Sequence, residues 1–271
     1  MNFEFKKIFV WFLFVFFSNS VIFAIELEYS IRPLLENEKS IIEVNCMFQG
    51  NESGITEILI PFQCGGDCGL YFEISELNCL PSEIQIENTD RPQVKKIIHS
   101  SGDIIQLSYH VTSREYQENE SYFPPLIDPS YFLLFGHCIF IIPNVNEHSM
   151  AHIILGWYDF PSDWTLINSF GAQQKKQELA VTLHTFLNAV FVGVDIQLFE
   201  CEEYNASRFV TCQENYFFFY ERLTSIIQAV VEYQREFWNN FDLFGIANFL
   251  ITALPVQEGS QVEGTGVLLI D

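Results

Sequence analysis

Apolar and polar residues alternate along much of the first 112 positions. In Ile41-Ile42-Glu43-Val44-Asn45-Cys46-Met47-Phe48 and in Ile105-Gln106-Leu107-Ser108-Tyr109-His110-Val111, one side chain faces a core and the next faces water. That period of two is the pattern of a half-buried strand. Gly50-Asn51-Glu52-Ser53-Gly54 predicts a turn, and 56–60 a returning strand that Pro61 stops. Further strands are predicted at 69–74, 83–86, 94–99 and 104–111.

The pattern then changes. A polar stretch at 112–121 predicts an exposed loop. Apolar runs at 131–135 and 138–142 flank Gly136 and end at Pro143. A strand is predicted at 148–157, a turn at Pro161-Ser162-Asp163-Trp164, and a short extended piece at 165–170. Leu179, Leu183, Phe186, Leu187 and Val190 fall at helical spacing, which predicts a helix over 176–191. Gly193 fits its stop, and a strand follows at 194–199. The strongest helical stripe is Tyr220, Leu223, Ile227, Val230, Val231, Gln234 and Phe237, within 215–241. A strand at 248–254 and a polar, Gly-containing turn region at 255–266 complete the pattern. A composition shift near 205 divides a β-rich domain of antiparallel, sandwich-like sheets (25–204) from an incomplete α+β segment (205–271).

The first 24 residues read as a signal peptide. Lys6 and Lys7 supply the basic region, 8–17 is a ten-residue apolar run, and Ala24 is a small residue suited to cleavage. Ten apolar residues are too few to span a bilayer as a helix; an uncleaved anchor over 8–25, interrupted by Ser18-Asn19-Ser20, is the alternative. No later stretch is long and apolar enough to cross. The expected location is outside the cytoplasm.

Formal net charge is −22, and a surface of that sign repels phosphate backbones, so nucleic acid is not an expected partner. A peptide or protein ligand is compatible with it. Phe occurs 28 times and aromatics make up 16% of the chain, enough for a large packed core. All seven cysteines follow the leader, and export makes disulfides the first reading. Cys64 with Cys68 closes a tight loop, and Cys201 with Cys212 a short hairpin. A zinc site from Cys64, Cys68 and Cys79 is the rival, lacking the second close pair of strong zinc patterns. Asn51, Asn119 and Asn205 begin glycosylation sequons.

Several segments resemble the glycyl aminopeptidase family, peptidase family 61 of the metallo class. Phe48–Pro61 is similar to its strand, Gly turn and strand ending in Pro. Phe135-Gly136-His137-Cys138-Ile139-Phe140-Ile141-Ile142-Pro143 is similar to its Gly-containing strand pair. The best match is Leu155-Gly156-Trp157-Tyr158-Asp159-Phe160-Pro161-Ser162-Asp163-Trp164-Thr165-Leu166-Ile167-Asn168-Ser169-Phe170-Gly171, which resembles the family's Leu-Pro-x-x-Trp and Ser-Phe-Gly stretch, with Phe160 in place of Leu. The resemblance implies that 215–254 opens a thermolysin-like catalytic domain. These are scaffold motifs. The family's chemistry needs two His and a Glu on zinc, with a second Glu as base, and no His here is followed by Glu. No catalytic residue carries over. No cofactor is expected in this chain, and zinc only with a complete catalytic domain. The resemblance also implies that Glu258 and Glu263 lie near a substrate cleft, where a carboxylate meets an α-ammonium group; two solvated loop carboxylates are the plainer reading.

Other constellations read as structural. His148-Ser149-Met150-Ala151-His152 has a spacing of four but runs into a strand and lacks the intervening Glu. His184 borders the 176–191 stripe, while His99 and His110 sit on strands. Ser169 lacks a nucleophile elbow. Cys138 lies in an apolar run, and Asp159 and Asp163 bracket a turn. The expectation is a secreted relative of zinc metalloaminopeptidases, truncated before the zinc motif and inactive alone. The alternative is a stand-alone β-rich binding or interaction module.

Overall fold

The computed structural model describes residues 25–36, 39–61, 63–64, 67–68, 74–80, 84–113, 125–172, 175–195, 197–203, 206–212, 229, 233, 248–252, 260–262 and 265–269. In the strands beyond residue 195 the backbone alone is described. The chain is strand-rich, with mixed sheets.

The largest sheet has six strands, in the order β16 (Lys176–Thr182), β13 (Met150–Trp157), β1 (Ile25–Glu36), β2 (Lys39–Gln49), β9 (Ile104–Thr112) and β6 (Ile74–Leu80). All neighbours are antiparallel except β1 with β13. A single rung crosses every strand: Gln177, Leu155, Tyr29, Cys46, Leu107 and Cys79 stand side by side. All six are buried, so the alternation seen in the sequence sets one whole face of this sheet inward.

A five-stranded sheet runs β10 (Leu126–Asp128), β11 (Tyr131–Phe135), β17 (Val190–Val194), β14 (Thr165–Asn168) and β15 (Gly171–Ala172). Every residue of β17 is buried. A four-stranded sheet runs β12 (Ile142–Pro143), β3 (Ile55–Leu59), β8 (Val94–Ile98) and β7 (Gln85–Asn88), and β4 (Gln63–Cys64) pairs with β5 (Asp67–Cys68). The last sheet runs β18 (Gln197–Glu203), β19 (Ala206–Cys212), β20 (Asn248–Thr252), β22 (Thr265–Leu269) and β21 (Ser260–Val262), with β19–β20 and β20–β22 parallel. Two short helices, α1 (Gly136–Ile139) and α2 (Leu183–Leu187), also lie among the described residues.

The turn at 50–54 joins two sheets rather than two paired strands. β2 pairs with β1 and β9, while β3 pairs with β8 and β12. Gly54 has φ +74, and a Cβ there would stand 2.8 Å from the His99 carbonyl, so the switch needs glycine.

The core gathers side chains of the first three sheets. Phe186 of α2 is its aromatic centre: its ring lies 4.4 Å from Phe140, 5.6 Å from Tyr29 and 6.2 Å from Phe191, centroid to centroid. A second cluster forms where the 155–171 segment folds back. Trp157, Phe160 and Trp164 converge on Phe132 at 5.6, 5.2 and 6.1 Å. The most distinctive stretch of the sequence is therefore a packing motif.

The helix expected over 176–191 is a strand, a five-residue helix and a second strand. Gln177 and Leu179 are buried between exposed Lys176, Glu178 and Ala180, a period of two that pairs with β13. The apolar residues at helical spacing belong to three elements: Leu179 to β16, Leu183, Phe186 and Leu187 to α2, and Val190 to β17. The run 138–142 likewise divides, with Gly136–Ile139 helical. The β-rich fold expected for 25–204 is found, its sheets antiparallel apart from the parallel pairing of β1 with β13. The composition shift near 205 falls between β18 and β19, antiparallel neighbours in one sheet in which Glu203 pairs with Ala206. Of 215–241 only 229 and 233 are described, both helical. The leader and the 114–124 loop segment lie outside the described residues.

Candidate functional site

The polar group that the fold assembles from distant residues sits where the turn before β13 meets α2. The 146–149 turn is closed by Asn146: its side-chain Oδ1 accepts from the His148 N–H at 3.0 Å, and its carbonyl accepts from Ser149 N–H at 2.9 Å. Helix α2 begins on an N-cap, the Thr182 hydroxyl accepting from Thr185 N–H at 3.1 Å. Two main-chain hydrogen bonds tie turn to helix, His184 N–H to the Glu147 carbonyl at 2.7 Å and Leu183 N–H to the Ser149 carbonyl at 3.2 Å. The consequence is a convergence of three side chains. Glu147 Oε1 lies 3.9 Å from His148 Nε2 and 3.8 Å from His184 Nδ1, and the two imidazole centroids are 5.3 Å apart. Glu147 and His148 are exposed, and His184 is partly buried.

This group was not expected from the sequence, whose one rival metal set was Cys64, Cys68 and Cys79. Local spacing singled out His148 with His152. His152 instead faces Glu26 at 3.9 Å from within β13. The signal that was present is Glu147 adjoining His148; its partner His184 is remote in sequence and comes near only because β13 and β16 are antiparallel neighbours.

The remaining histidines have structural surroundings. His99 Nε2 is 2.8 Å from the Thr56 hydroxyl, and its ring lies where a side chain on Gly50 would project. His110 is nearly buried, 3.4 Å from Glu76, a residue at φ +51 beside the β6 irregularity. Ser169 accepts from Val190 N–H at 2.9 Å, which uses the hydroxyl to join β14 to β17.

Cys46, Cys79 and Cys138 are buried thiols. Burial pushes the Cys46 thiol up to about 12 and the Cys79 thiol up to about 11, so neither is a ready nucleophile or ligand. The backbone register sets Cys201 opposite Arg208 and Cys212 opposite Gln197, four rungs apart. Four rungs is about 13 Å along a strand, more than a disulfide spans; this corrects the expected bridge. Cys68 pairs with Gln63 and Cys64 with Asp67, which puts those two cysteines on adjacent rungs, their side chains outside the described residues. Glu258 and Glu263 also lie outside them.

A cleft of about 720 Å³ opens at the start of β1, with Glu26, Glu28, Glu52 and His152 among its polar lining and Leu27 and Phe48 among its apolar lining. Among the described residues no helix is long and apolar enough to cross a membrane.

No family model matches the sequence, and no curated protein matches it. The fold is similar to the crystal structure of an aminopeptidase N family protein from Idiomarina loihiensis, with a TM-score of 0.69 at 12% identity. The likeness covers 90% of this chain and 42% of that one, so the chain spans less than half the length of the protein it resembles. At that identity the likeness establishes a distant aminopeptidase-like fold and nothing narrower. None of the six histidines in the sequence is followed by Glu, and the two near Glu147 come from a turn and a separate helix.

Proposed function

We propose that this chain is an exported, aminopeptidase-like scaffold that has no peptidase activity as it stands. The observation that carries the reading is an aminopeptidase-like fold over nine-tenths of a sequence with no His-Glu-x-x-His. Hydrolysis in that class needs a metal-bound water and an adjacent general base, and the chain brings no such set to one helix. The narrower assignment, to the glycyl aminopeptidases, rests on the segments at 48–61, 135–143 and 155–171. In a longer protein that carried the zinc helix, the whole would release small N-terminal residues, and Glu258 and Glu263 would flank the substrate's ammonium group. Export rests on the Lys6–Lys7 and 8–17 pattern and on Ala24.

The test is a peptidase assay on the full chain with added zinc, using glycyl and alanyl p-nitroanilides. The expected result is no release above the buffer rate. Chelator-sensitive turnover that co-purifies with the chain would overturn the reading. Material recovered outside the cytoplasm should have a mass lacking residues 1–24.

The cleft at the start of β1 favours a second reading, a stand-alone module that binds a peptide or protein. Its lining is acidic at Glu26, Glu28 and Glu52, which suits a basic segment. Saturable binding of a lysine-rich peptide, lost on Glu26→Gln with Glu28→Gln, would select it.

A further inference from the structure

We propose that Glu147, His148 and His184 form a surface site for a divalent transition-metal ion of the zinc class. The donor set is two imidazoles and one carboxylate, the combination that suits zinc and its neighbours rather than calcium or magnesium. Their nearest ligand atoms all lie within 4.8 Å of one another. Ligands sharing one such ion stand about 3–3.4 Å apart, given metal–ligand bonds of about 2.0–2.2 Å. The group therefore needs a closure of no more than about 2 Å between any two ligand atoms. Two of its members can supply it by side-chain rotation, since the His148 and Glu147 side chains are 69% and 56% exposed.

The backbone beneath is already set. The 2.7 Å and 3.2 Å hydrogen bonds from His184 and Leu183 to the 147–149 turn hold the three Cα positions together without a metal. Little ordering remains to be done on binding, which is the condition for a preformed site. The Asn188 side-chain N–H donates to the His184 carbonyl at 3.1 Å, which ties it to the backbone of the helix that presents this imidazole. Water fills the open positions, and the acidic chain raises the local cation concentration.

The proposal does not rest on the scaffold reading. It is tested by titrating the full chain with zinc chloride in a calorimeter and with cobalt chloride in a spectrophotometer. The expected result is one ion per chain, with an affinity that falls about 100-fold or more in His148→Ala and in His184→Gln and is unchanged in His152→Ala. Cobalt should show visible bands without the intense near-ultraviolet absorption of thiolate ligands. No saturable binding, equal affinity in all variants, or a thiolate band marking Cys64, Cys68 and Cys79 as the ligands would each overturn it. All three substitutions lie at partly or fully exposed positions, and circular dichroism confirms that the variants are folded.

Discussion

The Tyr29 hydroxyl donates to the Ile141 carbonyl at 2.8 Å, joining the middle of the six-stranded sheet to the segment that follows α1. Tyr109 repeats the arrangement two strands away, donating to the Ile139 carbonyl at 2.9 Å and accepting from Ile141 N–H at 3.2 Å. The 139–141 segment is buried and not in a sheet there, so these phenols serve main-chain groups that no strand satisfies. Tyr109→Phe removes both the donor and the acceptor, leaving two buried polar groups. It should destabilise the fold by about 2–4 kcal/mol, and Tyr29→Phe by about 1–2 kcal/mol. Urea unfolding curves check the order of the two variants.

Alkaline pH should weaken the fold. Burial raises the Cys46 thiol to about 12, and the Tyr29 and Tyr109 phenols well above their usual value of 10.0. Unfolded, the thiol ionises near 9.0 and the phenols near 10.0, so above those values the unfolded chain has released protons that the native one keeps. Stability is therefore fully present below about 9 and is lost as pH climbs toward 12. Urea midpoints measured at pH 8, 9.5 and 10.5 should fall in that order; a flat profile would contradict the burial of these groups.

Gly136 should not tolerate a side chain. A Cβ there would stand 2.5 Å from the Phe186 carbonyl oxygen and 2.8 Å from that of Leu187, both main-chain atoms of α2. Neither can rotate away, so Gly136→Ala must push α1 and α2 apart. The expected loss is about 1–3 kcal/mol, seen as a lower melting temperature.

Phe186→Ala should be more damaging still. Phe186 is fully buried and lies against the rings of Tyr29, Phe140 and Phe191. Truncation leaves a cavity at the meeting point of two sheets, at about 3–5 kcal/mol. Phe186→Leu should recover part of that loss.

Strands were legible where alternation was clean. The segments holding Val44, Cys46 and Phe48, and Ile105, Leu107 and Tyr109, are strands with those residues buried. Alternation says nothing about partners, so the parallel pairing of β1 with β13 was hidden, as was the change of sheet at Gly54. Around Leu179 the reading failed because apolar residues of three short elements happen to fall at helical intervals. The Glu147, His148 and His184 group was illegible for a related reason: two donors come from a turn and one from a helix, and the register of β13 with β16 brings them close.

The central place of β1 bears on the order of events during synthesis. This strand emerges from the ribosome first among the described elements, yet one of its two neighbours, β13, does not exist until Trp157 has been made. Until then β1 can pair with β2 alone, and its other edge stays open to any strand that finds it. The sheet cannot close before Trp157 is made, so a holding chaperone that masks residues 25–36 would do more for yield than any change within the finished core.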